Sequence, residues 1–337
     1  MTDLIIGNQQ IEKGKTYKIQ LPLISLYTSS DTQIPVYVCR GKKDGPTMFV
    51  SAAIHGDELN GIEIISRLIK SKVLKNIKGT LICVPFVNAY GVLNQSRYLP
   101  DRRDLNRSFP GTERGSLASR VAREFFHEIV CKCDYGIDLH TGAIHRSNLP
   151  QIRAVLRDEE TLLMAKAFNV PVILNTDLLD GSLREAAVEE GIKILLYEAG
   201  EALRFDEVSI KAGVRGIINV MRHIQMLPQR KSARKASPYI ANESHWIRAP
   251  ESGFVSHHKQ LGDKVSENDI LASIKDPYGE IEAQIVARET GIIIGKQNIP
   301  LVLEGEAVYH VATFNKPDMV NRDVEKMGEE LAENNPR

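Results

Sequence analysis

The stretch SAAIHGDELNG, residues 51–61, places a histidine and a glutamate three residues apart where a buried strand should end. The run TMFVSAAI leads into it and the apolar-spaced segment IEIISRLIKSKVL follows it. A tight turn needs Gly, Asp or Asn, but it has no use for an imidazole and a carboxylate. If the turn is near-helical, His55 and Glu58 face the same way and can bind one metal ion. The alternative is a helix N-terminus whose acids complement the helix dipole.

A third metal ligand is available in YGIDLH, an apolar strand that ends in His140. Ligands of α/β sheets gather at the carboxyl ends of strands. Asp138 should face the same side and can orient a ligand histidine through its second nitrogen. Two histidines and one carboxylate leave a position for water, as in a catalytic zinc site. His145 is the rival of His140, and a histidine that simply ends a strand is the alternative without metal.

A zinc-bound water needs a proton acceptor, and the run ILLYEAG supplies Glu198 near the end of the last buried strand. A carboxylate that follows apolar residues is partly desolvated, which suits a general base near neutrality. Glu201 is the nearby competitor. An acid that merely reaches solvent where the strand ends is the alternative without chemistry.

Residues 87–113 carry no periodic pattern, and a connection of this length inside a compact domain is usually functional or disordered. The segment DRRDLNRSFPG sets Asn106 beside Arg107, and a guanidinium next to an amide can bind a carboxylate. The same loop carries three further arginines, Arg97, Arg102 and Arg103. These charges could also form an ordinary solvated surface.

The elements that position these residues alternate between apolar runs and amphipathic segments from residue 34 to about 228. Consecutive β-branched residues are typical of strands buried on both faces, so we predict an α/β domain with helices on both faces of a parallel or mixed sheet. Strands are expected at PVYVC, TMFVSAAI, TLICVPFV, YGIDLH, IRAVLR, PVILN and IKILLYEAG. Helices are expected at 58–74, 116–131, 158–168, 182–190 and 206–227.

The C-terminal part has a different pattern. The basic segment PQRKSARKASPYIANES, residues 228–244, lacks apolar periodicity and marks a linker. Short strand-like runs then alternate with Gly, Asp and Pro turns to about residue 314, which predicts a small all-β barrel or sandwich. We therefore predict a catalytic domain at 1–228, a C-terminal β domain at 229–316 and a charged, frayed tail at 317–337.

The composition argues against several classes of protein. Lys and Arg number 43, as do Asp and Glu, so no long-range field draws the chain to nucleic acid or an anionic membrane. No apolar run reaches the length of a membrane helix, and the N-terminus lacks the pattern of a secretory signal. Four scattered cysteines are too few for a disulfide framework. We expect a soluble, cytoplasmic protein with free thiols.

Four motifs appear in order along the chain: HGDE at 55–58, RY followed by DLNR and Phe at 97–109, DLH at 138–140 and YEAG at 197–200. Together they resemble the succinylglutamate desuccinylase/aspartoacylase family, a branch of the zinc carboxypeptidase-like superfamily. The resemblance covers roughly residues 45–228 and, more loosely, the chain to 314. It implies a zinc-carboxypeptidase-like α/β/α sandwich with a mixed sheet.

Carried over by position, the resemblance implies one zinc ion per chain, bound by His55, Glu58 and His140. It also implies that Glu198 is the catalytic acid and base and that Asn106 and Arg107 hold a substrate carboxylate. The DLH motif is followed by Thr-Gly where aspartoacylases proper commonly carry Asn. An aspartate-specific pocket is therefore not expected.

Two arginines are assigned through the resemblance alone. Arg97 would lie near the scissile carbonyl and stabilise the developing oxyanion. Extra residues within Pro100–Arg103 depart from the family pattern, which leaves Arg102 and Arg103 as rivals for this role. Arg184, in GSLREAA, is similar to a further substrate-contacting arginine, although it lies farther from the catalytic glutamate than is usual in the family.

The C-terminal segment has a fainter likeness to a biotinyl/lipoyl carrier barrel, through two quasi-repeated halves. A carrier would have a modified lysine at the hairpin between them. Here Lys275 precedes Asp-Pro-Tyr-Gly, a turn that is complete without modification. We interpret this segment as a cap that narrows the active-site mouth or as an oligomerisation unit.

These features predict a zinc-dependent amidohydrolase that cleaves a small, carboxylate-bearing N-acyl amino acid or a related acylated amine. A zinc carboxypeptidase acting on short peptides is the second hypothesis, because the same metal site serves both reactions. A carrier or binding protein with a vestigial site is the non-enzymatic hypothesis, and biotin or lipoate on Lys275 would support it. The expected partner is a small molecule, with a homo-oligomer as one expected assembly.

Overall fold

A mixed β-sheet lies at the centre of the molecule, and helices cover both of its faces. The computed structural model describes residues 4–23, 32–229 and 238–333. Within these ranges the strands are β1 Ile5–Ile6, β2 Gln9–Gln10, β3 Thr16–Pro22, β4 Gln33–Arg40, β5 Lys43–Ala52, β6 Lys78–Val84, β7 Tyr135–Gly142, β8 Arg146–Ala154, β9 Val172–Asn175, β10 Lys193–Glu201, β11 Tyr239–Ala241, β12 Ser244–Arg248, β13 Gly253–His257, β14 Lys264–Val265, β15 Ile270–Lys275, β16 Ile281–Val286, β17 Gly291–Gln297, β18 Leu301–Val302 and β19 Ala307–Ala312.

The helices connect these strands. The α-helices are α1 Asn60–Lys70, α2 Ala89–Asn94, α3 Leu117–Glu128, α4 Glu159–Phe168, α5 Leu183–Glu189, α6 Glu207–His223 and α7 Pro317–Glu333. Short 3₁₀-helices span Lys72–Asn76, Leu105–Arg107 and Val130–Lys132. Five of the described α-helices begin after a side chain that accepts the N–H three residues on, a cap that stabilises each by about 1 kcal/mol. These capping residues are Asn88, Ser116, Asp158, Ser182 and Asp206.

The large sheet has the order β12-β19-β17-β8-β10-β7-β5-β6-β4-β3, with β9 beside β8, β11 beside β9 and β14 beside β17. Strands β6, β5, β7 and β10 are parallel neighbours, whereas β8 runs antiparallel to β10. Parallel strands place their carboxyl ends at one edge of the sheet. The ends of β5, β7 and β10 therefore meet at that edge.

Two separate cores fix the helical layers. Helices α1, α4 and α6 pack on one face, where Leu68 and Phe168 are fully buried. Helices α3 and α5 pack on the other, where Phe125 and Leu183 are fully buried. The predicted α/β domain with a mixed sheet is confirmed, and each of the five predicted helices is present with shorter ends. The unpatterned loop 87–113 contains α2 and one 3₁₀-helix.

The C-terminal unit, residues 244–312, is all β. Four of its strands form a separate sheet, β16-β15-β13-β18, while β17 pairs with β8 and so joins the unit to the large sheet. Its own core includes Leu271 and Val308. The likeness to a carrier barrel stays a prediction. Residues 230–237 of the predicted linker lie outside the described residues. Tyr239–Ala241, later in the same segment, pairs with β9 as strand β11 of the large sheet.

The expectation of a frayed tail is wrong over the described residues. Residues 317–333 form helix α7, whose buried side chains are Val320, Val324, Met327 and Leu331. This spacing gives an apolar stripe that packs on α6 and β17, and burial of the stripe stabilises the helix despite its many charges. Over the described ranges, the structure contains no helix with the length and hydropathy needed to cross a membrane.

Candidate active site and metal centre

The exit of β5 turns sharply before α1, and this turn carries the first two candidate ligands. Ala53 has a φ of 50°, in the left-handed region that non-glycine residues rarely adopt, so the chain leaves the sheet at once. Gly56 lies against another backbone, since a Cβ there would stand 2.0 Å from the carbonyl carbon of Gly91. A Cβ on Gly61 would lie 2.5 Å from that of Ala52. Both glycines of the motif are therefore needed for close approach.

The carboxylate of Glu58 lies between two imidazoles. Its Oε1 is 2.7 Å from Nδ1 of His55 and its Oε2 is 2.8 Å from Nδ1 of His140. Potential ligand atoms of these three buried residues all lie within 4.8 Å of one another. The backbone N–H of Thr141 also donates to Oε2 at 3.0 Å. The structure thus brings the three predicted ligands together, whereas the rival His145 is exposed on the loop after β7.

The second nitrogen of each imidazole faces a carboxylate. Nε2 of His140 lies 2.7 Å from Asp138, whose other oxygen accepts a hydrogen bond from the hydroxyl of Ser51 at 2.7 Å. Nε2 of His55 lies 3.1 Å from Asp104. Each carboxylate favours a proton on Nε2 and leaves the lone pair of Nδ1 for a metal. The predicted orientation of His140 by Asp138 is present in the structure.

Sequence reasoning did not single out Asp104. The residue caps the 3₁₀-helix Leu105–Arg107, and its Oδ1 accepts the N–H of Asn106 at 2.9 Å. An aspartate before a short helix is a readable cap signal. Its contact with His55 depends on the path of the whole loop, which the local sequence does not specify.

The charges around the histidines suit a divalent cation. Burial opposes ionisation of Glu58, but both histidines outweigh it and hold its pKa below the ordinary value. Burial likewise opposes ionisation of Asp104, while His55 and Arg97 lower its pKa. Burial opposes protonation of His55 and His140, but the carboxylates around them outweigh it and raise both pKa values, so the two imidazoles carry protons when no metal is bound. A divalent cation would replace these protons and balance the same carboxylates.

Arg97 is the member of the three rival arginines that reaches the cluster. Its Nη2 donates to Asp104 at 2.8 Å, and its Nη1 lies 3.2 Å from Nδ1 of His55. Arg102 and Arg103 are exposed. The guanidinium of Arg97 therefore lies beside two of the three candidate metal ligands, His55 and Glu58.

Glu198 stands beside the cluster because β10 and β7 pair it in register with His140. Asn148 donates its amide to Oε1 at 2.7 Å. Nε of Arg153 lies 2.5 Å from Oε2, but its N–H does not point along this contact, so the two form an ion pair without an aligned hydrogen bond. Glu201, the rival base, bonds instead to the loop after β7 and to the C-terminal unit.

Arg184 is buried on α5 without a carboxylate partner. It bonds to the hydroxyl of Thr176 at 3.1 Å and to the carbonyl of Asp177 at 3.2 Å. Over the described ranges, no carboxylate lies within 4.0 Å of its guanidinium. Burial, and secondly the charge of Arg153, lowers the pKa of Arg184 to about 10. Glu198 and Asp138 act in the opposite direction at longer range, and an anionic ligand would add to their effect.

The predicted carboxylate grip of Asn106 and Arg107 is only partly preformed. The side-chain oxygen of Asn106 accepts the N–H of Leu183 at 2.9 Å, which ties the loop to the start of α5. Its amide nitrogen remains the group that could meet a ligand. Arg107 is exposed, and its Nη1 donates to the carbonyl of Asn106 at 2.5 Å.

Comparison with known proteins agrees with this geometry. Residues 44–224 match the family described as the succinylglutamate desuccinylase/aspartoacylase catalytic domain, which is more than half of the chain. The chain belongs to this family. The matched segment contains all eight predicted site residues and ends close to the predicted domain boundary.

Other proteins similar to this desuccinylase/aspartoacylase family member match it over most of its length. The N-alpha-acetyl-L-2,4-diaminobutyric acid deacetylase of Halomonas elongata is 28% identical over 292 residues, which is 83% of this chain and 85% of that protein. The succinylglutamate desuccinylase/aspartoacylase structure from Rhodobacter sphaeroides has a TM-score of 0.79 and 26% identity, covering 90% of this chain and 96% of that one. The product-bound structure of the ectoine utilization protein EutE (DoeB) from Ruegeria pomeroyi has a TM-score of 0.80 and 25% sequence identity. The match covers 93% of this chain and 100% of that one.

Changing Asp138 to Asn should weaken the affinity of the His55, Glu58 and His140 cluster for added zinc by about 10- to 100-fold, because an amide no longer fixes the tautomer of His140. Competition with a chelating dye measures the affinity. Asp134→Asn, at the start of the same strand and bonded to the N–H of Thr47, is the control and should bind zinc normally. Equal affinity in both variants would show that Asp138 has no such role.

Proposed function

We propose that the chain is a zinc-dependent hydrolase that cleaves the amide bond of a small N-acyl amino acid or a related acylated amine. The observation that carries the proposal is the convergence of His55, Glu58 and His140, with Glu198 beside them on the next strand. A buried set of two imidazoles and one carboxylate, with a further carboxylate on the neighbouring strand that is not part of the set, suits metal-assisted hydrolysis.

His55, Glu58 and His140 are the residues that would hold the metal. The donor set fits a metal. Nδ1 of each histidine faces the Glu58 carboxylate, and Nε2 of each histidine lies within hydrogen-bond distance of a second carboxylate, Asp104 or Asp138. Imidazole and carboxylate donors in this number favour zinc among the available ions. When bound, zinc lowers the pKa of water and polarises an acyl carbonyl.

Glu198 and Arg97 would supply the remaining catalytic groups. Glu198 takes the proton of the attacking water and returns it to the departing amine, as a general base and then a general acid. Arg97 is placed against His55 and can donate to the oxygen of the acyl group as negative charge develops there. Arg97 already contacts His55, and Glu198 lies in register with His140 on the neighbouring strand.

Two buried polar groups support a carboxylate-bearing substrate. Arg184 is a buried cation that bonds to a hydroxyl and a backbone carbonyl, with no acidic partner within 4.0 Å over the described ranges. Gln151 is fully buried in register with Glu198, and neither of its amide atoms has a partner within the described residues. Buried polar groups are normally satisfied, so the amide of Gln151 would gain from a polar ligand. Asn106 and Arg107 would add a second contact to the substrate.

The names of the similar proteins favour an N-acyl amino acid. One is a deacetylase of N-alpha-acetyl-L-2,4-diaminobutyric acid, and another is an ectoine utilization protein solved with product. Both match more than four-fifths of this chain, so the comparison includes the C-terminal unit. The cytoplasmic location and a homo-oligomeric assembly remain predictions.

Removal and return of the metal tests the proposal. We expect the chelator-treated protein to lose activity and one equivalent of zinc to restore it. The substrate panel contains N-acetyl and N-succinyl amino acids, the same compounds with the carboxylate converted to an amide, and short peptides. N-acyl amino acids with a free carboxylate should be cleaved, and the compounds whose carboxylate is converted to an amide should be cleaved slowly. Cleavage of peptides alone would indicate a carboxypeptidase, and no cleavage with zinc bound would overturn the proposal.

A further inference from the structure

A continuous row of residues runs from the catalytic strand β10 into the C-terminal unit. Gly200 of β10 is paired with Asn148 of β8, which is paired with Gly295 of β17. Gly295 is paired with His310 of β19, which is paired with Trp246 of β12. Residues in register on neighbouring strands point to the same face of a sheet. The C-terminal unit therefore presents this row of side chains towards Asn148.

At the catalytic end of the row, two side chains hold the two oxygens of Glu198. The amide of Asn148 donates to Oε1 at 2.7 Å, and Nε of Arg153 lies 2.5 Å from Oε2. Asn148 is only 6% exposed, so this hydrogen bond is shielded from water. Contacts on both oxygens restrict rotation of the carboxylate and fix the direction of the lone pairs that would receive a proton.

At the other end, the C-terminal unit leaves room for Asn148 through a glycine. A Cβ on Gly295 would lie 2.8 Å from Oδ1 of Asn148, 3.1 Å from Cβ of His310 and 3.5 Å from the ring of Trp246. Any larger residue at this position would push one of these groups aside. The space that Asn148 needs is thus set by a residue outside the catalytic domain.

An aromatic stack closes the outer side of the row. The rings of Trp246 and His310 lie 4.6 Å apart and nearly parallel, and the guanidinium of Arg146 is 5.2 Å from the Trp246 ring. Burial of His310, and secondly the charge of Arg153, lowers the pKa of this histidine to about 3. The imidazole is therefore neutral near pH 7 and packs as a flat ring.

We propose that Asn148 is a positioning residue for Glu198 and that the C-terminal unit holds Asn148 in place through Gly295 and His310. The inference rests on the proposed function, in which Glu198 moves the proton. It gives the C-terminal unit a part in the chemical step, in addition to any covering of the active-site mouth.

Steady-state kinetics of three variants, each loaded with zinc, tests the inference. Asn148→Ala removes the donor and should lower kcat by about 10- to 100-fold with KM within twofold, because a misplaced base affects the reaction more than binding. Gly295→Ala disturbs the same residue from the C-terminal side and should lower kcat in the same way. Gly328→Ala, on α7 with nothing within 4 Å, is the matched control and should react normally.

A second readout does not depend on activity. The chain contains a single tryptophan, so intrinsic tryptophan fluorescence reports on Trp246 alone. Gly295→Ala should shift this emission, whereas Gly328→Ala should not. Unchanged emission in Gly295→Ala would contradict the packing of the row.

The Glu198→Gln background separates positioning from general stability. Once the base is gone, Asn148→Ala should cause no further loss of the residual rate, because both changes remove one function. Equal losses in both backgrounds, or a raised KM with normal kcat, would overturn the inference. If the wild-type protein turns over substrate and Asn148→Ala has normal kinetics, the positioning inference is wrong and the proposed function stands. If the wild-type protein has no turnover, both the proposed function and the inference are overturned.

Discussion

Glu198→Gln should lower kcat on N-acyl amino acids by about 10²- to 10⁴-fold and leave the zinc content unchanged, because an amide cannot accept the proton of the attacking water. The oxygen of glutamine can still accept the hydrogen bond from Asn148, so the local packing should persist. Initial rates and elemental analysis of the same preparation measure both effects.

Glu201→Gln is the matched control for this prediction. The residue lies three positions further along β10 and bonds to the loop after β7 and to Asn298. Its replacement should change kcat by no more than a few fold. If Glu198→Gln kept the wild-type rate, or if Glu201→Gln were the inactive variant, the assignment of the base would be wrong.

The second large effect is expected for Glu58→Gln, which should lose bound zinc and activity together. Glu58 contributes the charged ligand between His55 and His140, and a neutral amide at this position is a poor donor to zinc. Removing a hydrogen-bond partner of a ligand can weaken zinc binding by up to roughly 100-fold. Removing the ligand itself should weaken zinc binding by more than that. Metal content after gel filtration measures the effect.

Glu63→Gln provides the comparison on the same helix. Glu63 pairs with Arg67 away from the cluster, and its replacement should leave one zinc ion per chain. Circular dichroism should show the same helix content in both variants. Full zinc occupancy in Glu58→Gln would exclude the proposed ligand set.

The positions of the candidate metal ligands and of Glu198 could be predicted because they depend on strand ends. Long apolar runs marked β5, β7 and β10, and parallel strands bring their carboxyl ends together. His55, His140 and Glu198 each fall at such an end. A residue at the end of a central strand has few possible places in the fold, so sequence spacing was sufficient.

The loop arginines could not be ranked from sequence, since their places depend on backbone turns. Arg102 has a φ of 62° and the 3₁₀-helix at Leu105–Arg107 follows closely, which together leave Arg97 inside and its rivals outside. Nothing in the local sequence indicates that the backbone of Arg102 adopts the left-handed conformation. The contact of Asp104 with His55 has the same origin.

The contacts of Asn148 and Arg153 with Glu198 were also not predicted. They arise because β8 returns antiparallel to β10, and the sequence pattern did not distinguish that pairing from a parallel one. Helix α7 is a different case. Its apolar spacing was readable, but the high charge content of the segment favoured the interpretation as a frayed tail.

The pairing of β17 with β8 has a consequence for any shortened form of this chain. Residues 146–148 bond to β17 on the side away from β10. A protein cut before residue 244 would leave this stretch as an open edge with unpaired backbone groups, which invites association between chains. We therefore expect a chain truncated before residue 244 to aggregate and not to give a monomeric catalytic fragment.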